Sequence, residues 1–133
     1  MTKKIFVLVV TICFLLVVVG CTPSSDEAQI ELVVNGFASA LSNQNWSKAR
    51  SYCVEGSTYY DLVDQFEDLF SQAGDVDISF DYNINISNVS VNNSYATASG
   101  TYSVVISGGG ISQDDSGNIT MSLEKVNGSW KLS

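Results

Sequence analysis

The sequence predicts an α+β domain in which three helices precede, and pack on, a curved four-stranded antiparallel sheet. Between Ile30 and Phe70 the apolar residues recur every three or four positions, the period of a helix with one buried face. From Ile78 to the C terminus they recur every second position, the period of a strand with one buried face. Ahead of both lies an apolar run from Ile5 to Val19 that has neither period and stands apart from the domain.

Ser24-Ser25-Asp26-Glu27 has the spacing of a capping box, with Ser24 as N-cap and Glu27 at N3. Two carboxylates in that first turn suit the positive end of the helix dipole. Ile30, Val33, Val34, Phe37, Ala38 and Leu41 form the inward stripe of the first helix, which stops near Asn43. Asn45 caps a short second helix on which Trp46, Ala49 and Cys53 share a side. Thr58-Tyr59-Tyr60-Asp61 repeats the capping pattern and opens a third helix with Leu62, Phe66, Leu69 and Phe70 inward, closed by Gly74.

The first strand alternates Ile78, Phe80, Tyr82, Ile84 and Ile86 with polar residues; its parity then shifts at Ser87-Asn88, because Val89 and Val91 are odd, and a bulge is expected there. Asn92-Asn93 turns the chain into a second strand from Tyr95 to Ile106 with Ala96, Ala98, Gly100 and Tyr102 on one face. A glycine-rich loop is expected over Gly108 to Asn118. Ile119, Met121 and Leu123 mark the third strand, and Asn127-Gly128 is a two-residue hairpin signal leading to Trp130 and Leu132.

At the N terminus, Lys3 and Lys4 precede the apolar run, which is shorter than the roughly 20 residues that a spanning helix needs. An export signal is the better fit. Val18-Val19-Gly20-Cys21 resembles the lipobox of prokaryotic lipoproteins. That resemblance implies cleavage after Gly20 and a thioether-linked diacylglycerol on Cys21, so residues 1–20 are a signal peptide, 21–25 the lipidated cysteine and tether, and 26–133 the domain. Two acyl chains give lasting attachment. A tether of about four residues reaches roughly 13 Å, which holds the domain close to the extracytoplasmic face of the cell membrane. Thr22 in place of an aspartate implies the outer membrane in a host with two membranes.

Helices first and a curved antiparallel sheet after them resembles the cystatin-like class of the nuclear-transport-factor-two-like superfamily, especially its small lipoproteins of unknown function. The matching stretches are Val33 to Leu41 with Trp46 to Tyr52, the hairpin from Val89-x-Val91 to Ala96-x-Ala98, and Gly128-x-Trp130-Lys131-Leu132. The resemblance implies a cone whose helices cover the concave sheet face and leave a cavity at the open end. Enzymes of that superfamily usually place Asp, His or Tyr there, and this chain has no histidine.

The full chain carries a net charge of −8 with two of its six cations in the leader, so nucleic acid and anionic lipid headgroups are repelled. With no histidine and Cys53 the single thiol beyond Cys21, the ligand sets that hold zinc, copper or haem cannot be assembled, and neither metal nor cofactor is expected. Cys53 reads as a buried structural thiol. Asp61, Asp64, Glu67 and Asp68 crowd one side of the third helix, a solvated face or a face for a basic partner. Tyr82, Ala96, Ala98, Gly100 and Tyr102 line either a pocket or the core. Gln113 to Asn118 has oxygen ligands but not the spacing of a calcium loop. Six Asn-x-Ser/Thr sequons, at Asn45, Asn85, Asn88, Asn92, Asn118 and Asn127, are potential glycan acceptors in a glycosylating host.

The expected function is a non-catalytic, lipid-anchored module binding a membrane-proximal protein or a small apolar ligand. The alternatives are a small-pocket hydrolase or isomerase using Asp61 with Tyr82 or Tyr102, and a structural envelope protein.

Overall fold

A computed structural model describes residues 25–133; the leader, Cys21 and Ser24 lie outside the described residues. Three helices, α1 (Asp26–Ser42), α2 (Trp46–Ser51) and α3 (Thr58–Gln72), precede β1 (Ser79–Asn92), β2 (Tyr95–Gly108), β3 (Ile111–Val126) and β4 (Ser129–Leu132). The strands form one antiparallel sheet in the order β1-β2-β3-β4. Among the described residues no helix is long and apolar enough to cross a membrane.

The helix starts differ from expectation by one residue. Ser25, not Ser24, caps α1 by accepting the Ala28 N–H, and Ser57, not Thr58, caps α3 by accepting the Tyr60 N–H. In both places two hydroxyl residues stand in succession, and the cap falls to the one that stays extended while its successor enters the helix. Asn45 caps α2 as expected, accepting the Lys48 N–H. The inward face of α3 also differs: Val63 is its buried residue, whereas Leu69 is 55% exposed and Leu62 only half-buried. Tyr59, Val63, Phe66 and Phe70 form the stripe instead, rotated from the predicted one because the helix rests on the aromatic side chains of β1.

The bulge falls between Ile86 and Asn88, where the pairing register of β1 and β2 shifts. Gly100 sits opposite, and a Cβ there would lie 2.0 Å from the Asn85 carbonyl oxygen, so only glycine admits this approach. Asn127 and Gly128 both have positive φ, as a tight hairpin between β3 and β4 requires. The expected long loop shrinks to a turn at Gly109-Gly110, because β3 already pairs with β2 from Ile111. Gln113, Asp115, Gly117, Ile119 and Met121 prolong one alternation, and β2 supplies backbone partners along its whole length. The chain after α2 adds a further edge: Val54 N–H donates to Leu132 O (2.7 Å) and Leu132 N–H to Tyr52 O (2.8 Å), with Cys53 beside β4.

α1 runs along the sheet, spanning about 25 Å at 1.5 Å per residue. It begins beside the β3–β4 hairpin, where Trp130 Nε1 (3.0 Å) and Lys125 Nζ (3.2 Å) donate to Asp26 Oδ1. It finishes against the edge of β1: Ser42 Oγ accepts the Tyr82 N–H (2.8 Å), and Gln44 Nε2 donates to Ile78 O (2.8 Å). At the starting end Ile30, Val34, Phe37, Met121, Leu123 and Leu132 are almost wholly buried. At the other end the β2–β3 hairpin runs past the end of α1, and residues 111–118 are exposed throughout. The domain thus has a packed end next to its N terminus and an open end away from it.

Candidate functional site

A row of rings leads from the helices to the open end. Trp46 meets Phe70 (5.3 Å between centroids), Phe70 meets Phe80 (5.3 Å), Phe80 meets Tyr82 (6.0 Å), and Tyr82 stacks on Tyr102 (6.4 Å, 15° between planes). Alternation on β1 and β2 places the last three on the sheet's inner face, and the edge-on and offset contacts hold them in defined orientations. Burial pushes the Tyr82 phenol above its ordinary pKa.

Tyr102 Oη donates to Asp115 Oδ2 at 2.9 Å, and Asp115 Oδ1 accepts the Ser116 N–H at 3.0 Å. The carboxylate that receives the proton raises the Tyr102 pKa. Gly117 makes the pair possible, since the Tyr102 ring lies over it and a Cβ there would stand 3.3 Å from the ring. Asp115 is the residue that sequence reasoning missed. Its signal was present, because the period-two pattern of β3 continues back through Gly117 to Gln113, but the surrounding Gly, Asp, Ser and Asn residues read as loop. As a strand, Gln113 to Asn118 turns Asp114 and Asp115 to opposite faces, which removes the converging geometry a calcium site needs. Among the described residues no three potential ligands cluster.

The other predicted residues divide. Ala96 and Ala98 are buried (6% and 0% exposed), and Gly100 is spent on the bulge. They belong to the packed core and do not line an opening with Tyr82 and Tyr102. On α3, Asp64 and Glu67 are not free: Arg50 of α2 donates from Nε to Asp64 Oδ1 (2.7 Å) and from Nη2 to Glu67 Oε2. For these two residues the cation comes from the chain itself, so they are neither simply solvated nor open to a basic partner. Asp61 and Asp68 stay exposed, and Asp61 does not join the tyrosines. Cys53 is 4% exposed, its thiol donates to Ala49 O (3.5 Å), and burial pushes its pKa up to about 12, so it is a weak nucleophile.

Two of the clefts lie on opposite faces of the sheet toward the open end. An apolar groove of about 330 Å³ lies at the open end between α3 and the first two strands, lined by Leu69, Phe70, Gln72, Ala73, Ile78 and Ile106. On the outer sheet face Asn83, Asn85, Thr101, Ser103, Ser116 and Asn118 ring a shallow polar dish. Asp115 lines neither, and the Tyr102–Asp115 hydrogen bond is solvent-exposed. Acid–base catalysis by Tyr102 and Asp115 would therefore run in contact with water, where oriented charges are worth least.

No protein family's sequence profile matches this chain, and no curated protein matches it. Solved structures do match in shape. A conserved protein from Planctomyces limnophilus superposes with a TM-score of 0.67 at 12% identity, over 80% of this chain and 90% of that one. An NTF2-like protein of unknown function from Shewanella oneidensis gives 0.61 at 10% identity, over 81% and 94%. A ketosteroid isomerase-like protein from Erwinia carotovora atroseptica gives 0.62 at 15% identity, over 82% and 92%. The chain has the NTF2-like fold, an α+β architecture shared by proteins named as isomerase-like and proteins without known function.

Proposed function

We propose that the chain is a lipid-anchored, non-catalytic interaction module on the extracytoplasmic side of its membrane, which holds its open end away from the bilayer. One observation carries the non-catalytic reading. The inner sheet face is filled by core side chains where Ala96 and Ala98 lie, and the one tyrosine–carboxylate hydrogen bond among the described residues, Tyr102 with Asp115, stands on the exposed part of the strand. The lipobox-like Val18-Val19-Gly20-Cys21 supports the anchor. The start of α1 at the packed end supports the orientation, since a tether leading to Ser25 leaves the far end of α1 about 25 Å further along.

The test is fractionation and mass analysis of the full chain in a bacterium that processes lipoproteins. The wild type is expected in the membrane fraction with a diacylglyceryl-modified Cys21 at its N terminus, and Cys21→Ser as an unprocessed precursor. An unmodified chain in the soluble fraction overturns the reading.

The 2.9 Å contact between Tyr102 and Asp115 favours a second reading, a hydrolase or isomerase with Asp115 as base. Under it, Asp115→Asn abolishes turnover found for the wild type on a panel of esters and enolisable ketones, with the melting temperature unchanged.

A further inference from the structure

We infer that the apolar groove at the open end docks a basic amphipathic segment of a partner protein, an inference that rests on the interaction-module reading and names its partner's chemistry. The groove between Leu69, Phe70, Ala73, Ile78 and Ile106 does not stand alone. Val76 and Ile111, 49% and 65% exposed, extend its apolar surface toward the β2–β3 turn, where the Val76 side chain stands 3.5 Å from a Cβ position on Gly109 and Ile111 pairs with Gly108. Together with Leu69 at 55%, these are side chains that a monomer of this size normally covers or keeps scattered.

The rim is acidic. Asp68, Asp75, Asp77 and Asp115 are exposed on or beside the segments that form it, whereas Asp114 faces the other side of the sheet. None of the four cations among the described residues pairs with these carboxylates: Lys125 pairs with Asp26 at the packed end, Arg50 is held by Asp64 and Glu67, and Lys131 on β4 and Lys48 on α2 form no ion pair. Among the described residues no ion pair neutralises the rim, so its field selects a partner with apolar residues on one side and lysines or arginines on the flanks. A second copy of this chain would set one acidic rim against another. An anionic bilayer is repelled by the same charges.

Trp46 supplies the readout, because it touches Phe70, a wall of the groove, while Trp130 lies at the opposite end. The full chain carrying Trp130→Phe is placed in phosphatidylcholine vesicles and titrated with a ten-residue peptide of lysine and leucine, with empty vesicles as the blank. A saturable change in Trp46 emission is expected. Leu69→Ser with Ile111→Ser should weaken binding at least tenfold, and Asp68→Asn with Asp75→Asn and Asp77→Asn should do the same at low salt. Leu32→Ser, an equally exposed apolar residue on α1, should change nothing. Circular dichroism melts confirm that each variant is folded. Equal binding of a glutamate–leucine peptide, no binding of the lysine peptide, or indifference to the Leu69 and Ile111 changes overturns the inference. The mass of the Cys21 peptide from the same vesicles reports separately on the anchor, so failure of the groove and failure of the anchored reading are distinguished.

Discussion

Met121 and Leu123 lie on the same strand, and on the same face, as Gln113 and Asp115, yet the first pair is buried and the second exposed. Alternation is identical along β3. The difference is what stands over it. Beside Leu123, β4 pairs with the strand, and Ile30, Val34 and Phe37 of α1 share its core; beside Gln113 and Asp115 α1 has ended, α3 lies against β1 and β2 instead, and β4 is absent. A period of two therefore says which face a residue takes, while burial depends on whether another layer reaches that rung. Stability and availability are divided along the sheet, with the packed end holding the fold and the open end presenting side chains to solvent.

The largest effect should come from removing a buried ring at the packed end. Phe37→Ala is expected to cost about 3–5 kcal/mol, while Ile111→Ala should stay within about 0.5 kcal/mol, as read from urea denaturation midpoints. Comparable losses would erase the distinction between the ends. Next comes the bulge that joins them. Gly100→Ala forces a methyl onto the Asn85 carbonyl and should destabilise by about 1–3 kcal/mol, with faster amide exchange centred on residues 85–88. An unchanged melting temperature would mean that the bulge relaxes freely.

A smaller effect is expected at the α2–α3 contact. Arg50→Ala removes two partly exposed ion pairs and should cost about 1 kcal/mol or less, shrinking further in high salt. A salt-independent loss would point to packing of the arginine stem instead. Smallest is a titration at the packed end. The Trp130 N–H first, and Lys125 second, hold the Asp26 carboxyl below its ordinary 3.8. Its contribution to stability is therefore complete above that pH and is lost as the pH falls through the lower, folded-state value. Trp130→Phe should move the Asp26 titration upward in an NMR pH series, and no movement would show that Lys125 alone sets it.

Much of the fold is legible in the sequence because it depends on near neighbours. The stripe of α1, the Asn45 cap, the parity shift at Ser87-Asn88 and the Asn127-Gly128 hairpin are all local patterns, and each element stands where its pattern predicts. The larger departures have a common source. Val63 in place of Leu62 and Leu69, and a strand in place of a loop in the first half of β3, are settled by contacts with distant residues, while Ser25 in place of Ser24 and Ser57 in place of Thr58 are choices between adjacent hydroxyls. The site is less legible than the fold. Alternation turns Tyr82 and Tyr102 inward, but local composition reads Asp115 as loop, and nothing local marks Arg50 as the cation that answers Asp64 and Glu67.

Hydrophobic period, caps and turn residues are enough to establish three helices followed by an antiparallel sheet, and the lack of histidine by itself limits the chemistry. Those properties are written in residue types and in residues at most a few positions apart. The division into a packed and an open end is not, because it arises from where α1 stops on β1, where β4 stops on β3, and how far the β2–β3 hairpin runs past both. Such lengths are compared only when segments forty or more residues apart meet, as Ser42 meets Tyr82 and Asp26 meets Trp130. The same meeting leaves Tyr102, Asp115 and the acid-rimmed groove facing solvent.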